Sequence, residues 1–280
     1  MKLGVSAFAW TAKFGTSHIS RLSRVREYGF EGFEIPMFVP RDLPVAELRR
    51  SFAANDLACT VCAILPPGIN PISPDSATRK RSILHLMECV ETASEMGAHL
   101  LGGPLYAPIG YLPAHRPNPD EWKWAIEALQ PLGDLLEKHS MTLSIEPVNR
   151  SETFFIRTAT EAKTLCDSLA HPRIGVTIDT FHANIEEKSI VSAMAQLGTH
   201  LRHVHASEND RGPLGTGHID FAAIVAELRR TGYDGYLTIE GFGYDPAELS
   251  SPGTLWADPG VTPDDIARQG ITLLRACLDN

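Results

Sequence analysis

Short apolar strand patterns alternate with amphipathic helical patterns eight times along the 280 residues, and this count restricts the fold more than any other feature of the chain. The strand patterns fall at 3–9, 32–35, 57–65, 98–103, 141–146, 174–179, 201–205 and 236–240. Helical patterns follow each: 19–28, 44–55, a long one capped by Asp75 or Ser76 and running to 96, 120–139, one starting at Thr158 or Thr160, 185–197, 221–231 and 263–278. Eight strand–helix units in a chain of this length predict an α/β fold of the (β/α)₈ TIM-barrel type, which typically takes ~250 residues plus insertions. A doubly wound sheet would need fewer strands or a second domain. No low-complexity linker divides the sequence, so one TIM-barrel domain is expected over 1–280. The connections differ in kind. Those that enter strands are short, as at 28–32 (YGFEG) and 231–235 (TGYDG), whereas those that leave strands, 66–75, 103–119, 147–158, 206–218 and 241–262, are long and polar. In a barrel the loops that leave the strands carry the chemistry.

Four successive strands end in a side chain able to bind a cation. LSIE ends in Glu146, GVTID in Asp179, LRHVH in His205 and YLTIE in Glu240, at intervals of 33, 26 and 35 residues, each about one strand–helix unit. Residues i and i+2 of a strand share a face, so His203 points the same way as His205, one layer deeper in the barrel. At the rim of strands 5 to 8 the three acids would converge and repel one another unless a cation neutralised them. Three oxygen donors and one nitrogen suit Mn²⁺, Mg²⁺ or Co²⁺ better than a structural zinc, where thiolates are usual.

The adjoining loops contribute Glu152, His182, Glu208, Asn209, Asp210 and Arg211. The residues alone leave His182 open between a capping histidine and a site residue, and Arg211 between a solvated loop cation and a planar fork that grips a substrate oxygen. Residues 212–217 have the glycines of a phosphate loop, but His218-Ile219 replaces the required Lys-Ser/Thr, and no GxSxG elbow is present. A formal net charge of −9 argues against nucleic-acid or anionic-membrane partners, and no apolar run approaches the ~20 residues of a membrane span. The first fifteen residues read as a first strand, not a signal peptide. Five scattered cysteines suit reduced thiols and a cytoplasmic protein, and Cys59 and Cys62 read as core thiols despite their C-x-x-C spacing.

The runs SIEPVNRSETFF, TIDTFHANIEE, HVHASENDRGPLGTGHIDF and LTIEGF resemble the ketose 3-epimerases of the D-tagatose, D-allulose (psicose) and L-ribulose type, which are xylose-isomerase-like barrels. GGPLY at 102–106 adds a weaker match. The resemblance extends over about residues 1–245, and beyond it Trp256-Ala257 stands where an aromatic–basic pair is common. It implies a divalent metal, Mn²⁺ first with Co²⁺ or Mg²⁺ as alternatives, held by Glu146, Asp179, His205 and Glu240. It also implies substrate contacts from Glu152, His182 and Arg211, a homodimer or homotetramer, and Glu146 and Glu240 as the acid/base pair. The reaction so implied is inversion at C3 of a free ketose through a cis-enediolate, with one base on each face of the plane. Phe8, Trp10, Tyr106 and Tyr111 are either an apolar wall for the distal carbons or ordinary core. The alternative on the same barrel is an aldose–ketose isomerase or a sugar-derivative dehydratase. A multi-metal endonuclease fits poorly with the acidic charge, and a non-catalytic sugar-binding module fits poorly with an acid/base pair beside a metal.

Overall fold

The eight strand segments pair in parallel and in chain order, the last closing on the first, in a computed structural model that describes residues 1–243, 248 and 260–279. Trp256-Ala257 lies outside the described residues. The order is β1 (Lys2–Ser6), α1 (Arg21–Glu27), β2 (Gly32–Met37), α2 (Val45–Ala54), β3 (Ala58–Ala63), α3 (Ser76–Glu95), β4 (Ala98–Gly103), α4 (Pro119–Leu129), α5 (Leu132–His139), β5 (Thr142–Ile145), α6 (Ala159–Leu169), β6 (Ile174–Asp179), α7 (Thr180–Glu186), α8 (Ile190–Leu197), β7 (Leu201–Ala206), α9 (Phe221–Arg230), β8 (Tyr236–Ile239) and α10 (Pro263–Asp279). Among the described residues no helix is long and apolar enough to cross a membrane.

The alternation within each strand sorts the side chains into two populations. Val5, Phe33, Ile35, Val61, Leu101, Leu143, Ile145, Ile178, Val204, Leu237 and Ile239 are all buried and belong to one continuous apolar cluster with the helices. Apart from Leu100, the interior positions between them are mostly small or polar. Thr60 donates to Glu34 at 3.2 Å, Thr177 donates to Ser144 at 2.7 Å, and a Cβ on Gly4 would meet Thr238 Oγ1 at 2.7 Å. An interior hydrogen-bonded in this way differs from the usual barrel centre of Val, Ile and Leu, and it leaves polar groups directly beneath the rim.

Helix starts follow the local chemistry. Asp75 caps α3 through Ala77 N and Thr78 N, and Thr158 with Glu161 closes a capping box on α6. Three expected elements are cut differently. Residues 7–9 leave the first strand as a 3₁₀ turn, with Ser6 as cap. The helix expected over 120–139 is interrupted at Gln130-Pro131, where proline supplies no N–H, and continues as α5. The helix expected at 185–197 is two: Asp179 accepts from Phe181 N and starts α7 at the strand end, and Ser189 caps α8.

Candidate active site

β5, β6, β7 and β8 bring Glu146, Asp179, His205 and Glu240 together at their C-terminal ends, so that one donor atom from each lies within 4.8 Å of all the others. Parallel register does this: Asp179 pairs directly with His205, and Thr177 with His203 in the layer below. All four residues are at most 4% exposed. His205 Nδ1 faces Glu146 Oε1 at 3.2 Å and Glu240 Oε1 at 3.8 Å. Two further groupings, Glu34–His203–His205 and Glu34–Cys62–Glu240, share members with this one. In the first, Glu34 is already engaged by both imidazoles at 3.0 and 2.9 Å, so the four-residue rim set is the better cation site. Three carboxylates and an imidazole in a buried cluster form a donor set that could hold a divalent cation.

Arg211 reaches into the same cluster from the loop after β7. Its Nη1 donates to Asp179 Oδ2 and to Glu240 Oε2, both at 2.6 Å, and to Ser207 Oγ at 2.8 Å. The guanidinium lies between two rings, 4.1 Å from the centre of Phe181 and 4.7 Å from that of Phe242. The backbone at Arg211 has φ +62°, an uncommon conformation for a residue with a side chain, held by Arg211 N to Glu208 O and Phe242 N to Arg211 O. Glu208 secures the loop from below by accepting from the backbone of Asn209, Gly215 and Ile219.

Beside Arg211, His182 projects from the first turn of α7 and is buried. Its Nδ1 accepts from Asn149 N at 3.2 Å, and its Nε2 lies 3.1 Å from Arg211 Nη2. Asn149 also donates from Nδ2 to Glu152 Oε1 at 2.9 Å. Both side chains are buried and adjoin the carboxylate cluster, so neither His182 nor Arg211 is a solvated surface group.

Burial and charge split the titrations of these groups. Burial, then the nearby carboxylates of Asp179 and Glu146, raise the Glu240 pKa to about 8, against the opposing pull of His205 and Arg211. Burial, the largest influence, favours the neutral form of Asp179, but Arg211, His182 and His205, with a hydrogen bond from Glu240, together outweigh it and hold that carboxyl below the usual range. Burial pushes His182 down to about 3, with Arg211 and His205 acting the same way. His205 is raised well above an ordinary histidine, because Glu34, Glu240 and Glu146 outweigh its burial. Glu152 is raised by burial.

The cluster opens into a cavity of about 740 Å³, a size suited to a small polar ligand. Glu146, Glu152, His182, Arg211 and Glu240 line one end, and Phe8, Phe38, Ile64, Leu65, Ile109 and Phe242 line the other. Phe8 packs against Phe38 and Phe242 with ring centres 6.5 and 5.6 Å away. Phe8 therefore lines the cavity. Tyr106 does not: it is fully buried, donates its hydroxyl to Ile156 O at 2.7 Å and packs on Phe155, behind the cavity. A tyrosine beyond the end of a strand can satisfy its hydroxyl on backbone and become core, and here it does. Trp10 and Tyr111 also pack away from the lining, on Phe33 and Phe154. Cys62 is buried as expected but faces the cavity, while Cys59 joins the apolar shell. Sequence reasoning missed Glu34 and Asn149. The first was legible as a charged residue at an inward position of the apolar strand GFEIPM, and the second had no signal beyond its polarity.

Comparison with known proteins gives a consistent picture. The chain matches the xylose isomerase-like TIM barrel family over residues 22–277. It is 31% identical to the L-ribulose 3-epimerase of Mesorhizobium japonicum over 258 residues, 91% of this chain and 86% of that protein. It is also 31% identical to the ketose 3-epimerase of Arthrobacter globiformis, covering 86% of this chain and 84% of that one. Among solved structures, the D-allulose 3-epimerase of Methylomonas sp. in complex with D-allulose superimposes with a TM-score of 0.93 at 25% identity, covering 99% of this chain and 96% of that one.

Proposed function

We propose that this chain, which belongs to the xylose isomerase-like TIM barrel family, is a metal-dependent ketose 3-epimerase that inverts C3 of a free ketose. The observation that carries the proposal is that two buried carboxylates from different strands, Glu146 and Glu240, both lie within 3.8 Å of His205 Nδ1 and line a cavity large enough for a sugar. The two relatives at 31% identity are an L-ribulose 3-epimerase and a ketose 3-epimerase.

The chemistry follows from what the side chains can do. A hydrogen on the carbon next to a ketone is acidic enough to remove only if the resulting enediolate is stabilised. Glu146, Asp179, His205 and Glu240 would hold a divalent cation, Mn²⁺ first and Co²⁺ or Mg²⁺ as alternatives, which when bound supplies Lewis-acid polarisation of the substrate carbonyl. Glu146 and Glu240 come from strands three apart and approach the substrate plane from opposite faces. One takes the C3 proton and the other returns a proton to the far face, so the configuration inverts. Arg211, His182 and Glu152 bind the oxygens at C1 and C2 and fix the plane between the two bases. Neutral His182 offers a hydrogen bond there without adding charge. Phe8, Phe38 and Phe242 cover the distal carbons and keep water from the enediolate. The assembly that accompanies this reading is a homodimer or homotetramer, supported by the motif resemblance and open to sedimentation analysis.

The test is proton NMR of a panel of free ketoses with Mn²⁺-loaded protein in D₂O. Deuterium at C3 with appearance of the C3 epimer is the expected result. Label at C1 or C2 with an aldose appearing would replace this reading by aldose–ketose isomerisation. No exchange in any ketose would remove the epimerase.

A further inference from the structure

We infer that Glu34 is a positioning residue that orients His205 toward the cation site, an inference that rests on the metal-site reading above. Glu34 stands in the middle of β2 at an interior position and is 1% exposed. A buried carboxylate is costly unless fully engaged, and an aliphatic side chain would fill the barrel centre without that penalty. Its two oxygens are divided between two tasks. Oε2 is anchored by neighbouring strands, accepting from its register partner Thr60 Oγ1 at 3.2 Å and contacting His203 Nε2 at 3.0 Å. Oε1 lies 2.9 Å from His205 Nε2 at ion-pair distance, and neither of these two buried atoms has a hydrogen-bond partner, so each is left facing the other. His205 accordingly turns its other nitrogen, Nδ1, to Glu146 and Glu240.

An imidazole has two nitrogens, and what binds one decides which state the other presents. A carboxylate at Nε2 keeps the proton there and leaves the Nδ1 lone pair for a cation. Without it, the ring can rotate or present an N–H where a lone pair is needed. His203, one layer below, never reaches the rim, so its function here is to hold Glu34 in place.

Reach and charge can be separated by two substitutions. Glu34→Asp keeps the charge but withdraws the carboxylate from Nε2, and Glu34→Gln keeps an oxygen at the same reach. Calorimetric titration of Mn²⁺ into metal-stripped protein should show binding weakened by about 10–100-fold in Glu34→Asp. The visible spectrum of Co²⁺-loaded Glu34→Asp should change as well, since it reports the ligand field and not turnover. Glu34→Gln should lose less affinity and keep the wild-type Co²⁺ spectrum. If the Glu34→Asp protein does not fold, Thr60→Val, which frees one anchor of Oε2, takes its place and should weaken Mn²⁺ binding relative to wild type. Unchanged Mn²⁺ affinity and Co²⁺ spectrum in the test variant would overturn the inference, as would a Glu34→Gln protein at least as impaired as Glu34→Asp. Absence of Mn²⁺ binding in the wild type would instead take down the metal-site reading itself, and this inference with it.

Discussion

Arg211 engages two of the carboxylates that would hold the proposed cation, and this makes the effect of removing Arg211 conditional on metal. In the metal-free protein its Nη1 donates to Asp179 and Glu240 at 2.6 Å each in a buried site and balances the charge of Asp179. Arg211→Met leaves both acids without that partner, and breaking a buried pair of this kind costs about 3–5 kcal/mol. Saturating Mn²⁺ supplies positive charge to the same oxygens, so the loss should be clearly smaller in loaded protein. Urea unfolding in EDTA and in Mn²⁺ measures the difference, and equal losses in the two conditions would refute the shared-carboxylate account. Glu240→Gln tests the chemistry more directly. The raised pKa means that the neutral carboxyl is well tolerated at this position, and the amide has its shape, so metal-free Tm should not fall. Turnover should drop by at least about 10²-fold, because one of the two proton transfers is lost. Retained epimerisation at C3 would dismiss Glu240 as a base. The contrast between Phe8 and Tyr106 shows what sequence can resolve at this scale. Both are aromatic residues just past a strand end, and only the packing around each decides that Phe8 faces the cavity while Tyr106 turns its hydroxyl to a backbone carbonyl.

Strand ends set the geometry of this site, and Gly103 shows how tightly. It closes β4 with φ +126°, a conformation that favours glycine, and a Cβ there would collide with the carbonyl of Ala63 at the end of β3. Its own carbonyl accepts from Glu146 N at 3.1 Å, so the turn at β4 fixes where Glu146 starts beyond β5. Gly103→Ala should destabilise by about 1–3 kcal/mol from backbone strain alone. At roughly 2–4 °C per kcal/mol, a Tm loss of several degrees follows for a chain of this length. KM and kcat should both suffer through Glu146, and a variant with wild-type Tm would show that the neighbouring strands yield more easily than their close contact implies. The strands and helices were legible because apolar residues recur at strand and helix periods, and the four rim donors were legible because each ends such a strand. The break at Gln130-Pro131 and the division of the segment 180–197 were not, since amphipathic spacing continues through both and only the caps at Asp179 and Ser189 mark the new starts. Glu34 escaped attention for a related reason: an acid inside an apolar strand gains its meaning only from strands β3 and β7, which bring Thr60, His203 and His205 to it.

For the molecule as a whole, the buried cluster ties stability to pH in a way that metal should reverse. Glu240 has its folded pKa raised to about 8, against ~4.3 in an unfolded chain, so its contribution is complete below ~4.3 and is lost as pH rises through about 8. His205 is raised well above ~6.5, and its contribution is likewise lost as pH rises through the folded value. His182 runs the other way. Held at about 3 in the folded state, it contributes fully above ~6.5 and loses that contribution as pH falls. Between ~4.3 and ~6.5 the opposing slopes of Glu240 and His182 offset each other. Above ~6.5 His182 no longer changes, and Glu240 with His205 makes the metal-free fold less stable, each group by up to about 1.4 kcal/mol per pH unit. A cation binds only the deprotonated forms of both, so its affinity grows over the same interval, and with it the stabilisation it confers on the folded chain. Melting curves at pH 6.5, 7.25 and 8 in EDTA and in fixed Mn²⁺ should therefore diverge, with Tm falling in the first series and holding or rising in the second. Parallel series would mean that these two groups have already lost their protons by pH 6.5, and that Arg211 alone balances the acids of the metal-free site.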